Sequence, residues 1–145
     1  MQPLPHTYRA RAETVGEGGV SIFTDGVPVL SSNAPEQFGG PGDAWSPEAM
    51  LVGAVVSCFC LTFRAIARGS HLEWRALRCD GAATLSSTEH AAEFTAMALD
   101  VQLTLAPLCD IEKALRLLDK AKTNCMVSRS LKFEPTIRAS AVHEA

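Results

Sequence analysis

The sequence has no surplus of basic residues: Lys and Arg number 13 against 16 acids, for a net charge of −3. A chain without a basic surface cannot collect phosphates by counterion release, so nucleic acid is excluded as an expected partner. Long hydrophobic runs are also missing. The longest uncharged apolar stretch, Ala49 to Phe63, covers 15 residues, short of the roughly 18–20 that cross a bilayer. No membrane partner is expected, and the stretch reads as a buried helix. The opening Met1-Gln2-Pro3-Leu4-Pro5-His6 has neither a basic nor an apolar segment of the signal-peptide kind, so the expected compartment is the cytoplasm.

Metal-ligand spacings are lacking too. His6, His71, His90 and His143 are isolated, no Cys-x-x-Cys or His-x-x-x-His occurs, and Cys58 and Cys60 point about 200° apart on a helix. No metal and no cofactor is expected. The glycine clusters at 16–19 and 39–42 do not join a strand to a helix, which excludes a phosphate or dinucleotide loop, and Ser57 has no Gly-x-Ser-x-Gly elbow. Five cysteines, Cys58, Cys60, Cys79, Cys109 and Cys125, form an odd set without secretion signals, so free thiols are expected rather than a disulfide framework.

What is present is a chain of 145 residues, 47% apolar, enough for one core and one expected domain over 1–145. Period-2 alternation predicts a strand over 7–14, a second over Val20–Thr24 and, after the Asp25-Gly26 turn, a short edge strand over Val27–Leu30, where Pro28 donates no hydrogen bond. Residues 31–45 read as a long surface loop. Ser46-Pro47-Glu48 then combines an N-cap serine, a proline at the first helical position and an acid in the first turn, predicting a helix to about Arg68. That helix is apolar nearly all round from Met50 to Phe63 and must be surrounded by protein. A long antiparallel hairpin over 72–85 and 93–105 follows, then an amphipathic helix capped by Asp110, a short helix over 125–131 capped by Asn124, and a last strand from Phe133 to Ala141. The order suits an α+β fold of antiparallel sheets with helices gathered to one side. Full cover for so apolar a helix predicts a homodimer.

The thiols remain as candidate chemistry. A cysteine in an apolar helix, such as Cys58 or Cys60, is most often a small core residue. Cys125, placed at an expected helix N-terminus with Arg129 four residues on, reads equally well as an activated thiol or a buried cap residue.

Two segments carry a resemblance. Trp45-Ser46-Pro47-Glu48-Ala49-Met50-Leu51-Val52-Gly53-Ala54-Val55-Val56-Ser57-Cys58-Phe59 resembles the Ser/Asn-Pro-Glu…Cys-Phe helix of the OsmC/Ohr family, the osmotically inducible and organic hydroperoxide resistance proteins. Ala121 to Leu131, with Asn124-Cys125-Met126-Val127-Ser128, resembles its Cys-Pro-Val-Ser motif. The Thr24-Asp25-Gly26 hairpin and the order of elements agree, and Val127-Ser128 favours the OsmC branch. The resemblance implies an OsmC-like intertwined homodimer that reduces organic hydroperoxides. Cys58 would be oxidised to a sulfenic acid, and Cys125 would resolve it as a disulfide that a dithiol reductant such as dihydrolipoamide reopens. Met50, Phe59 and Phe63 would offer the organic tail an apolar wall.

Glu48 matches the glutamate of the motif, which in the family pairs with a catalytic arginine. Ten residues separate it from Cys58, roughly 15 Å along a helix, so a Glu48 serving the site should come from the partner subunit. Two departures stand out: Met126 replaces a proline, and Glu17 occupies the turn where the family carries its arginine. Arg9, Arg11, Arg64 and Arg129 are the available substitutes. With no cation assigned, Cys58 in mid-helix is expected to titrate near or above its free value and turnover to be weak. The alternative reading is an OsmC-like binding or interaction protein with little or no peroxidase turnover, which Glu17 favours and the two cysteines oppose.

Overall fold

A computed structural model describes residues 2–89 and 91–145. Met1 and His90, the latter one of the four isolated histidines, lie outside the described residues. Where one domain is expected, the chain's contacts divide into two compact units, Met1–Met50 and Leu51–Ala145.

In the first unit, β1 (Arg11–Glu13), β2 (Val20–Phe23) and β3 (Leu30–Ser32) form an antiparallel sheet in that order, with Ala12 opposite Ile22 and Ser21 opposite Ser31. β1 is shorter than the expected 7–14 because β2 offers only four residues to pair with, and Arg11 already faces the last of them, Phe23. Beyond it the Thr24 hydroxyl, not the ladder, donates to Arg9 O at 3.0 Å. β3 begins at Leu30 instead of Val27, since Pro28 has no N–H for the ladder. Residues 31–45 hold a 3-10 turn, Glu36–Phe38, and fold back on themselves, with Asn33 N donating to Trp45 O at 3.0 Å.

Helix α1 (Pro47–Gly69) begins as its sequence dictates, with Ser46 Oγ accepting from Ala49 N at 3.1 Å. Its 23 residues make it long and apolar enough to cross a membrane by length and composition, which the uncharged 15-residue run did not suggest. Yet Val55, Phe59, Phe63 and Ala67, one residue per turn, are fully buried in the core of the second unit. The expectation of all-round burial is not met within a single chain: that stripe is covered, whereas Ala54, Ser57, Leu61 and Ala65 remain exposed.

The second unit sets α1 and α2 (Ile111–Asn124) against a sheet of β4 (Trp74–Ser87), β5 (Ala92–Leu105) and β6 (Thr136–His143). β4 and β5 form the expected long hairpin. β6 departs from the all-antiparallel expectation, running parallel to β5 with Val101 opposite Ala139. The reason is the connection: α2 acts as a crossover that returns the chain to the end of the sheet where β5 begins, which a tight turn cannot do. Along β5, Met97, Leu99, Val101, Leu103 and Leu105 are buried and the residues between them are not, so one face of the sheet takes both helices. Phe63 packs edge-on to Trp74 with ring centroids 5.5 Å apart. Asp110 caps α2, its carboxylate accepting from Lys113 N at 3.0 Å, as expected.

Candidate functional site

The stripe that buries Phe59 leaves its neighbour Cys58 at the edge of the core, half-buried. Across from it, α2 stops at Asn124. The expected Asn124-capped helix over 125–131 does not form: Asn124 Nδ2 donates back to Lys120 O at 2.7 Å, and Cys125 is instead the C-cap of α2, with φ −68° and ψ 106°. The extended cap turns the backbone, and a short 3-10 turn follows at Ser128–Ser130. Ser128 Oγ and Arg129 N both donate to Cys125 O, at 3.0 and 3.1 Å, which closes the turn.

This turn brings Cys125 and Cys58 together, and it aims the N–H groups of Met126 and Val127 at Cys58 Sγ. Burial raises the Cys58 pKa. The Val127 N–H, the Cys125 thiol, the Thr62 hydroxyl and the Met126 N–H outweigh it by donating to the sulfur, and the net shift is downward. Thr62 Oγ1 lies one helical turn on, 4.0 Å from Cys58 Sγ. Cys125 behaves oppositely. Burial pushes its thiol up, against the pull of Ser128, and the charge of the neighbouring Cys58 adds to the rise. Its side chain is 1% exposed, with Sγ 4.0 Å from Val55 O.

One expectation is thereby corrected. Cys58 titrates below its ordinary value, not near or above it, because backbone N–H groups do the work that had been assigned to a missing cation. Of the two readings left open for Cys125, the structure matches the buried cap residue, since Cys125 ends one helix and begins none of its own. The arrangement sets a thiol of lowered pKa beside a second thiol of raised pKa.

A cavity of about 390 Å³ opens beside Cys125, lined in part by Phe59, Leu99, Lys122, Arg129 and Phe133. Of the expected apolar wall only Phe59 takes part. Phe63 is buried against Trp74, and Met50 belongs to the first unit. Leu99, Leu131, Phe133 and Ile137 supply the apolar surface instead, through the sheet and the segment after the 3-10 turn. These were not legible as pocket residues, because nothing in a strand's alternation says which side chain ends beside a thiol on another element.

Among the candidate cations, Arg11 pairs with Glu13 at 3.0 Å and stacks over Phe23 at 4.7 Å. Arg64 is exposed, and Arg129 lines the Cys125 cavity. Glu17 sits exposed in the connection between β1 and β2. Glu48 lies in the first turn of α1, within the first unit, and its Oε2 is buried without a hydrogen-bond partner among the described residues. No group of three or more His, Cys, Asp or Glu side chains suited to a metal ion occurs among the described residues.

The OsmC-like protein family model matches residues 40–140, taking in both cysteine segments. The chain belongs to this family. A curated relative, the uncharacterized protein YmaD of Bacillus subtilis, is 26% identical over 140 residues, covering 94% of this chain and 93% of its own. An OsmC-like protein of unknown function from Vibrio cholerae has a similar structure, with a TM-score of 0.85 at 16% identity over 93% of this chain and 99% of the other. The organic hydroperoxide resistance protein OsmC of Legionella pneumophila superposes with a TM-score of 0.74 at 22% identity, over 96% of this chain and 98% of the other. The α+β, OsmC-like fold expected from the sequence is that of these structures.

Proposed function

We propose that this OsmC-like chain reduces organic hydroperoxides through Cys58 and Cys125. The observation that carries the reading is the meeting of Cys58 with Cys125 and with the backbone of Met126 and Val127, which holds the Cys58 thiol below its ordinary pKa. Donors that favour the thiolate ready Cys58 to attack the distal peroxide oxygen, and the alkoxide leaves as an alcohol once protonated. The adjacent Cys125 then attacks the sulfenic acid, water departs, and a Cys58–Cys125 disulfide closes before further oxidation.

Reduction has a preferred direction. In thiol–disulfide exchange the sulfur of lower pKa leaves faster, so a dithiol should attack Cys125 and expel Cys58 as thiolate. The cavity at Cys125 gives a donor such as dihydrolipoamide room to do so, and its apolar side chains suit an alkyl chain. The reaction is assigned to the cytoplasm.

A homodimer completes the proposal. Among the described residues, eight of the thirteen large apolar side chains left exposed lie in residues 2–50, among them Tyr8, Val15 and Trp45, and Leu61 on the open face of α1 is 51% exposed. A second copy would cover them, and would bring a Glu48 whose Oε2 lacks a partner to the site of its neighbour. Glu17, placed where the family resemblance calls for arginine, favours a second reading, an OsmC-like binding protein with little turnover.

The test is consumption of cumene hydroperoxide against hydrogen peroxide with dihydrolipoamide as donor, followed by peptide mapping after one equivalent of oxidant. Turnover with preference for the organic peroxide and a Cys58–Cys125 link is expected. A link without turnover would leave the binding reading, and no link would remove the site.

A further inference from the structure

A second pair of thiols meets between α1 and β4. Val52, Val56 and Cys60 recur every four residues along α1, and Cys79 and Gly81 occupy alternate positions on the helix-facing side of β4. A Cβ on Gly81 would stand 2.6 Å from Val56 Cγ1 and 2.9 Å from Val52 Cγ1, so helix and strand touch at this point. One further helical turn from Val56, about 6 Å along the axis, reaches Cys60. Two residues back from Gly81, about 6.8 Å along the strand, reach Cys79. The two steps match because the tight connection after Gly69 makes helix and strand antiparallel, and the thiols so placed stand close enough for each to shift the other's titration. Both are half-buried and free.

The pair repeats the asymmetry of Cys58 and Cys125. The Cys79 thiol, donating to Cys60, holds Cys60 down at about 7 against the opposing effect of burial. Cys79 is pushed up by that same hydrogen bond, by burial and by the charge of Cys60. Cys58 and Cys60 are two residues apart on one helix and diverge by about 200°, so the pairs address different sides of α1.

We propose that Cys60 and Cys79 form a second hydroperoxide-oxidisable dithiol, separate from Cys58 and Cys125, that closes into a disulfide tying α1 to β4. The Cys60 thiolate attacks the terminal oxygen of ROOH: an S–O bond forms, the O–O bond breaks, and RO⁻ takes a proton from water and leaves as the alcohol. Cys79 then attacks the Cys60 sulfenic acid, forming the S–S bond and releasing water that carries the Cys79 proton. Two thiols lose two electrons, and the peroxide gains them. Nothing in this step uses Cys58 or Cys125.

The decisive experiment therefore removes the first couple. Cys58→Ser/Cys125→Ser protein is treated with one equivalent of tert-butyl hydroperoxide, its remaining thiols are trapped with iodoacetamide, and the digest is mapped. A Cys60–Cys79 linked peptide is expected, with Cys109 alone alkylated. All three thiols alkylated, or Cys60 carrying added oxygens while Cys79 alkylates, overturns the proposal and leaves the reading of Cys58 and Cys125 untouched. Should the double variant not fold, the intact chain in excess peroxide serves. Free thiols should fall from five to one in the wild type and from four to two in Cys60→Ser. Equal losses in the two proteins overturn the second couple.

Discussion

Residues 2–50 and 51–145 hold together by different means. Among the described residues the second region contains every buried apolar side chain, from Val55 to Cys125; in the first only Ser32 and Ser46 are buried. Its three short strands pair by backbone hydrogen bonds without a core beneath them, an arrangement that is marginal on its own. All five cysteines sit in the second region, the one with the buried core. The first region contributes exposed apolar surface, the surface that the proposed second copy would cover.

The largest test of this contrast is a pair of truncations. Phe59→Ala opens a cavity at the centre of the core and should cost about 3–5 kcal/mol in denaturant unfolding. Ile22→Ala, on the half-buried β2, should cost less than about 1 kcal/mol in a monomer. If Ile22→Ala approaches Phe59→Ala and its cost depends on protein concentration, a second chain covers β2, and the contrast belongs to the single chain alone.

Next in size is Gly81→Ala. The added Cβ meets two valine methyl groups below 3.0 Å, so α1 or the side chains must shift, at about 1–3 kcal/mol. The same change should slow Cys60–Cys79 closure, read by the rate of thiol loss in the Cys58→Ser/Cys125→Ser background. An unchanged rate would show that the approach of helix to strand does not set this pair.

Asp110→Ala removes the cap of α2 and should lower stability by about 1 kcal/mol. Asn124→Ala loses only a side-chain bond to the last turn and should cost a few tenths, roughly the size of an exposed substitution. A reversed order would restore Asn124 as the more important cap.

The smallest effect is electrostatic. The lowered Cys58 pKa predicts that its alkylation rate climbs with pH and levels off at a midpoint below that of a free thiol, with Cys125 reacting later. The linkage has the sign of a depressed group: the thiolate's hydrogen bonds stabilise the fold above the unfolded thiol pKa, and that contribution is lost as pH falls through the Cys58 value. Thr62→Val removes one long donor and should raise the midpoint. No movement would leave the backbone N–H groups and Cys125 as the whole cause.

Local chemistry made much of this legible beforehand. Ser46-Pro47-Glu48 announces a helix start because the cap, the ring and the acid each act within one turn, and Asp110 does the same for α2. The alternation from Met97 to Leu105 marks a one-faced strand because the pleat has period two. The two cysteine segments were legible as motifs for the same reason, being contiguous in the chain. Those signals reach only a few residues, and what they leave open depends on which elements meet.

Tertiary structure decided the rest. The parallel β6 follows from where the α2 crossover delivers the chain, which no strand pattern encodes. Cys58 owes its lowered pKa to N–H groups some seventy positions away in sequence, exposed by a cap at Cys125 that sequence reasoning had assigned to the wrong end of a helix. The Cys60–Cys79 contact likewise needs Gly81 to admit α1. Local signals in the chain determined the two long helices and the main hairpin, and marked the thiols as candidates. Packing determined their partners, because a thiol's acidity is a property of the donors around it and those arrive only when the chain closes.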